Sequence, residues 1–172
     1  MKITYHPNQD IFESQAEALV NPVNCVGVMG AGLAEEFKQR FPEMYRYYKT
    51  ECFNRRLGPG KCQPCSLPAE TGHRFAINFP TKYHWREDSE LWMIEDGLRH
   101  LRDIVQTRAI KSIAIPMLGC GFGGLKWDIV RPYITEALKD LDCTVEIYGP
   151  GPEEHPQDRH AHDGEQLWSG RS

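Results

Sequence analysis

The chain has 172 residues, 40% of them hydrophobic and 26% charged, with a formal net charge of −4. That length suits one domain with a substantial core. No apolar run approaches the roughly 20 residues of a membrane span and no charged-then-apolar leader opens the sequence, so a soluble, cytoplasmic, monomeric protein without membrane contact is the expectation.

In chain order, residues 2–5 alternate and predict an edge strand. Ala18, Leu19, Val20 and Asn21 predict a short buried strand, which enters a first glycine turn, Gly27-Val28-Met29-Gly30-Ala31-Gly32-Leu33. Leu33, Phe37 and Phe41 recur at helical spacing, Pro42 interrupts, and a second helix is expected over 43–54. Gly58-Pro59-Gly60 is a loop, and residues 62–67 and 74–79 read as strands, the second stopped by Pro80. Asp88 or Ser89 is expected to cap a helix carrying Leu91, Ile94, Leu98, Leu101 and Val105. Residues 112–115 form a near-continuous apolar strand, as a sheet covered on both faces requires. A second glycine turn follows, Leu118-Gly119-Cys120-Gly121-Phe122-Gly123-Gly124-Leu125. Val130, Ile134, Ala137, Leu138 and Leu141 mark a last helix, and residues 143–148 a last strand. Residues 150–172 are rich in Pro, Gly, His and acids and read as a disordered tail or linker after a domain over 1–149.

Alternating strands and helices predict an α/β fold with a mixed, largely parallel central sheet. In such folds ligands sit at the carboxyl ends of strands, where both glycine turns fall. Glycine lets backbone N–H groups approach an anion at a helix N-terminus. One such turn suggests a phosphate, and two at one sheet edge suggest a diphosphate. Neither turn ends in Gly-Lys-Ser/Thr, which excludes a nucleoside-triphosphate loop. Gly119, Gly121 and Gly124 satisfy G-x-G-x-x-G, but only one helix and one strand follow, too little for a dinucleotide fold. The six cysteines are scattered and read as reduced thiols. Cys62-Gln63-Pro64-Cys65 has metal-like spacing without a second pair, and alternation along a strand explains it more simply.

Read together, Asn8-Gln9-Asp10-Ile11-Phe12, Ala18-Leu19-Val20-Asn21-Pro22-Val23-Asn24 and the two glycine turns resemble a macrodomain, the three-layer α/β/α fold that binds ADP-ribose. The runs 23–32 and 78–86, the latter Asn78-Phe79-Pro80-Thr81-Lys82-Tyr83-His84-Trp85-Arg86, resemble the DarG group more narrowly. DarG macrodomains are antitoxins that remove ADP-ribose from DNA modified by a DarT toxin. The resemblance implies that Asp10 accepts from the adenine amino group, with the Ile11 backbone beside it and Tyr148 bordering the base. It implies that Val28, Met29, Gly30, Ala31 and Gly32 hold one phosphate and the distal ribose. Gly119, Cys120, Gly121, Phe122 and Gly123 would wrap the diphosphate, and Asn24 would bind a distal ribose hydroxyl, with Thr81 alongside. Asn21 is expected to hold the loop's own backbone. No cofactor is implied. The implied partners are ADP-ribosylated DNA and a DarT-like toxin.

Lys82 is the chief catalytic candidate, with Asn24 assisting. A related human lysine-dependent ADP-ribosyl hydrolase attacks the anomeric carbon with its cognate lysine. A nucleophilic amine must be neutral, and burial beside Tyr83, His84, Trp85 and Arg86 would favour that form. A protonated Lys82 would instead stabilise departing charge. The human relative carries an aspartate in its second loop where this chain has Gly123, so the protein-directed mechanism does not transfer intact. A thymine imide departs as a stabilised anion and needs less acid help. Glu87, Asp88 and Asp128 are weaker acid–base candidates. An acidic chain meets DNA only locally, through Lys82, His84 and Arg86 with Arg55, Arg56 and Lys61 at phosphates and Trp85 or Tyr83 stacking on a base. Two alternatives stand beside DNA: ADP-ribose linked to protein or small molecules, or a non-catalytic ADP-ribose reader.

Overall fold

The structure, a computed structural model, describes residues 1–152. The tail expected over 150–172 lies outside them from residue 153 onward, while Gly151, within the expected tail, packs against Tyr5. The strands are β1 (Lys2–Tyr5), β2 (Ala18–Val23), β3 (Gln63–Ser66), β4 (Phe75–Pro80), β5 (Ser112–Pro116) and β6 (Thr144–Tyr148). They form one six-stranded sheet in the order β1-β6-β5-β2-β4-β3. Every pairing is parallel except β3 with β4, which makes the sheet mixed and largely parallel.

Helices α1 (Gly32–Arg40) and α2 (Pro42–Phe53) cover one face, and α3 (Leu91–Thr107) and α4 (Trp127–Leu138) the other. This is the expected three-layer α/β/α arrangement. The apolar run in β5 follows from burial on both faces: Ile113 and Ile115 point toward α3 and α4, and Ala114 toward α1 and α2. Pro42 sits in the first turn of α2, where its missing N–H costs nothing, so the break after Phe41 separates two helices. Gly97 brings α3 tight onto β4, because a Cβ there would lie 2.7 Å from Phe79 Cε1.

Two expectations need correction. The N-cap of α3 is Glu90, and no side chain caps the helix. Asp88 and Ser89 are not caps because both pack against the second glycine turn: the Ser89 N–H donates to the Gly123 carbonyl at 2.9 Å, and Asp88 lies beside Gly124. Asn21 does not hold the first loop's backbone. It faces inward, and its amide bonds Asn78 Oδ1 at 3.0 Å, while Asn78 bonds Gln63 Oε1 at 2.8 Å. These three residues lie in register across β2, β4 and β3. They form a buried amide ladder whose outer atoms, Asn21 Oδ1 and Gln63 Nε2, have no partner.

Cys62 and Cys65, three residues apart on β3 and its approach, fall in the two different core layers and do not converge. Among the described residues no group of three or more His, Cys, Asp or Glu could hold a metal. Among them, too, no helix is long and apolar enough to cross a membrane.

Candidate active site at the carboxyl edge of the sheet

The adjacent parallel strands β2 and β5 end side by side, so the turns that follow them meet at one edge. The first turn is built around Asn24. Its Oδ1 accepts from Val26 N at 3.1 Å and from Val28 N at 3.4 Å, and its Nδ2 donates to Val28 O at 2.8 Å. The Tyr48 hydroxyl, from α2, lies 2.7 Å from Asn24 Oδ1 and 2.9 Å from the Asn24 carbonyl. Burial pushes the Tyr48 phenol far up, so it stays a donor. Tyr45 adds a bond to Gly27 O at 3.1 Å. Asn24 therefore shapes the loop first, and only its second Nδ2 hydrogen remains for a ligand hydroxyl. Met29 is 1% exposed, leaving only its backbone to meet a ligand, while Val28, Gly30, Ala31 and Gly32 are exposed at the start of α1.

A strap over residues 81–90 leaves β4 and is tied to the first turn. Thr81 N donates to Val23 O at 2.9 Å, and Cys25 N to Tyr83 O at 2.8 Å. Thr81 is buried, and its backbone serves this tie. Lys82 is 6% exposed, and its Nζ donates to Phe122 O of the second turn at 3.2 Å. Burial lowers the Lys82 pKa from its ordinary 10.5, opposed by the charges of Asp88 and then Glu87. The neighbours expected to bury it do not. Tyr83 and Trp85 are about half exposed, and Arg86 stacks outward on Trp85 at 4.7 Å. The Lys82 side chain instead runs inward to the Phe122 carbonyl of the turn after β5, past β2, which lies between β4 and β5 in the sheet.

The second turn holds itself by backbone bonds, Leu125 N to Gly119 O at 2.9 Å and Gly124 N to Gly121 O at 3.3 Å. Gly119 takes a φ of +75°, a region that favours glycine. Gly123 is glycine for want of space: a Cβ would collide with Ser89 Oγ and the Gly119 carbonyl. Gly121 is open, with nothing near a would-be Cβ. Cys120 is half-buried, its thiol pushed up to about 11 by burial and so unreactive at neutral pH. Phe122 is 76% exposed and reaches over to the first turn, its ring 3.0 Å from a would-be Cβ on Gly32. Sequence reasoning missed Tyr48, which carries no signal beyond a polar atom on a helix face, and read Ser89 as a helix cap where its N–H ties the second turn.

At the other end of the edge, Asp10 caps a 3-10 turn (Ile11–Glu13), accepting from Phe12 N at 2.9 Å through Oδ1. Ile11 is buried beneath it. Tyr148, the last residue of β6, stacks on His6 at 4.7 Å. Glu87 accepts from His84 N at 3.0 Å within the strap, and Asp128 lies in the first turn of α4. The structure thus brings Asn24, Thr81, Lys82 and both glycine turns together, with Asp10 and Tyr148 beyond β5.

A sequence profile of the Macro domain matches residues 20–134. The chain belongs to the macrodomain family. It is similar to the DNA ADP-ribosyl glycohydrolase of Mycobacterium tuberculosis, 42% identical over 149 residues, covering 86% of this chain and 42% of that protein. The macrodomain of Mycobacterium tuberculosis DarG superposes with a TM-score of 0.83 at 41% identity, covering 87% of this chain and 98% of that one. Thermosipho africanus DarTG, solved in complex with ADP-ribose, superposes with a TM-score of 0.82 at 35% identity over 91% of this chain and 43% of that one. Within the family this is a DarG-like macrodomain. It spans about two-fifths of the length of the curated relatives it matches.

Proposed function

We propose that this DarG-like macrodomain is a DNA ADP-ribosyl glycohydrolase that frees ADP-ribose from a modified base, thymidine in single-stranded DNA, and so reverses a DarT-like toxin. One observation carries the reading. Lys82 is buried at the meeting of the two glycine turns, its ammonium 3.2 Å from the carbonyl of Phe122. A solvated surface lysine has no reason to be there, and a depressed ammonium beside a diphosphate cradle is a functional arrangement. ADP-ribose bound with its adenine at Asp10 and its diphosphate across Gly30–Gly32 and Gly119–Gly123 presents its distal ribose to Lys82.

Two roles suit that lysine. As a neutral amine it attacks the anomeric carbon while the glycosidic bond to the base breaks, and water then hydrolyses the lysine adduct to free ADP-ribose; as an ammonium it stabilises the departing base while water itself adds to the anomeric carbon. The base leaves as an imide anion, so the missing carboxylate at Gly123 costs little. The same absence disfavours protein-linked substrates. The domain is taken to span residues 1–149, with 150–172 as a tail or linker after it, and to act as a monomer.

The test is turnover of thymidine-linked, guanosine-linked and protein-linked ADP-ribose, side by side with Lys82→Ala. Release from thymidine-linked DNA is expected, with a loss of about 10²–10⁴-fold in the variant and ADP-ribose affinity largely kept. An equally active alanine variant would sink the role of Lys82. ADP-ribose binding without turnover on any linkage would make the protein a reader.

A further inference from the structure

Resting on the glycohydrolase reading above, we infer that the DNA strand leaves Lys82 toward the β4–β3 side of the sheet. It runs over the strap to the carboxyl end of α2, where bases stack on Trp85 and Phe53 and phosphates meet Arg55, Arg56 and Lys61.

The strand order gives the direction. Tyr148 ends β6, the second turn follows β5, the first follows β2, and Lys82 follows β4. A ligand laid from the adenine end to Lys82 therefore points along the sheet toward β3. Because β3 is antiparallel to β4, its first residue, Gln63, pairs with Asn78 near the carboxyl end of β4. The connection over residues 54–62 thus arrives at the same edge as the strap. Helix α2 rises to that edge as well. Tyr48 reaches Asn24, and Lys49 Cγ lies 3.5 Å from a would-be Cβ on Gly27.

This surface has the chemistry of a single-strand platform: exposed aromatic rings set among cations. Phe53 is 85% exposed, one helical turn beyond Lys49, and its phenyl gains nothing from the fold. Trp85 is 46% exposed and carries Arg86 on its face. Arg55 holds a φ of +57°, a region costly for a residue with a Cβ. Among the described residues it makes no ion pair. Lys61 follows at the entry to β3. Five carboxylates border the path, and each has a neighbour of its own: Glu51 pairs with Arg56 at 3.1 Å, Glu87 accepts from His84 N, Asp88 lies beside Gly124, Glu90 accepts from Trp92 Nε1 at 2.9 Å, and Asp96, beside Gly60, pairs with Arg99. In a chain of net charge −4, Arg55, Lys61 and Arg86 make no ion pair among the described residues, which suits a phosphate backbone, and rings with open faces suit unpaired bases.

The experiment compares an ADP-ribosylated oligonucleotide with ADP-ribosyl thymidine, which has no flanking strand. Phe53→Ala/Arg55→Glu should lower kcat/KM on the oligonucleotide about tenfold or more and flatten its salt dependence. The same double variant should turn over the mononucleoside at the wild-type rate. Trp85→Ala should lose more on the oligonucleotide than on the mononucleoside. Equal losses on both substrates, or none on the oligonucleotide, overturn the path while leaving wild-type glycohydrolase activity intact. Oligonucleotide turnover that survives while a co-expressed ADP-ribosyltransferase toxin no longer associates also overturns it, and makes the surface a protein interface. If the wild type turns over neither substrate, the underlying reading falls and takes the path with it.

Discussion

The two glycine turns do similar work by different means. The first is fixed by side chains: Asn24 bonds three backbone groups of the turn, counting its Nδ2, and Tyr48 and Tyr45 brace it from α2. The second has no such internal post. It is held by its own backbone bonds, by the Ser89 N–H, by the close fit of Gly123 and by Lys82. A loop braced by buried side chains is organised before its ligand arrives. The second loop is tied to the sheet edge in part by the candidate catalytic lysine. On the proposed function, the first turn is then the fixed jaw, and the second is the one whose tie the ligand would meet.

The comparison breaks most sharply at the exposed glycines. Gly30 and Gly121 meet little or nothing when a Cβ is added, so Gly30→Val and Gly121→Val should fold with melting temperatures near wild type. Each should weaken ADP-ribose about 10–100-fold by titration calorimetry, since 1.4 kcal/mol is tenfold and a side chain there would fill the proposed phosphate space. Should only one of them lose affinity, the diphosphate rests on that turn alone.

Gly123→Asp probes what distinguishes the second turn. It restores the carboxylate of the human relative on paper, yet its Cβ meets Ser89 and Gly119. Overpacking of that kind costs about 1–3 kcal/mol, so chemical denaturation should show a less stable protein with no gain on protein-linked ADP-ribose. A stable, newly active variant would mean that Ser89 and the turn can shift apart. Tyr48→Phe is the counterpart in the first turn. It removes one hydroxyl and leaves Asn24 Oδ1 with its backbone donors, so the expected loss is about 1 kcal/mol of stability, with ADP-ribose affinity reduced only to the extent that the turn loosens. Unchanged stability would deny that Tyr48 braces it.

Periodicity made the layers legible. Ile113, Ala114 and Ile115 could only belong to a strand covered on both faces, and Leu91 to Val105 only to a helix with one apolar stripe. The glycine turns were legible because glycine clusters between a strand and a helix have few other uses. The side chains that hold them were not. Asn21 and Asn24 lie three residues apart with the same chemistry. Strand alternation turns Asn21 into the core, and the end of β2 frees Asn24 for the loop, a distinction that depends on where the strand stops. Tyr48 reaches Asn24 from 24 residues away and Lys82 reaches Phe122 from 40. Contacts at that separation are set by how α2 and the strap return to the edge, which no local pattern encodes. Burial beside its aromatic neighbours was the condition set for a neutral Lys82; Lys82 is buried without them, because the aromatic run looks apolar in sequence yet faces solvent.

The smallest expected effect is the titration of Lys82, and it tests whether the second turn is tied by a desolvated charge. Burial holds the folded pKa below 10.5. Between the folded value and 10.5 the unfolded chain binds more protons than the folded one, so stability rises with pH across that window. The cost of burying the ammonium is present in full below the folded pKa and is relieved as pH climbs through it. Lys82→Met fills similar volume without the charge. The stability of the wild type relative to Lys82→Met should therefore increase from neutral pH toward 10.5, read by denaturant melts in a series of buffers. A flat difference would mean that the ammonium stays hydrated and that its bond to Phe122 O is a surface contact. The same depressed pKa separates the two chemical roles: turnover by a neutral amine rises with pH up to that value, whereas turnover by an ammonium falls above it.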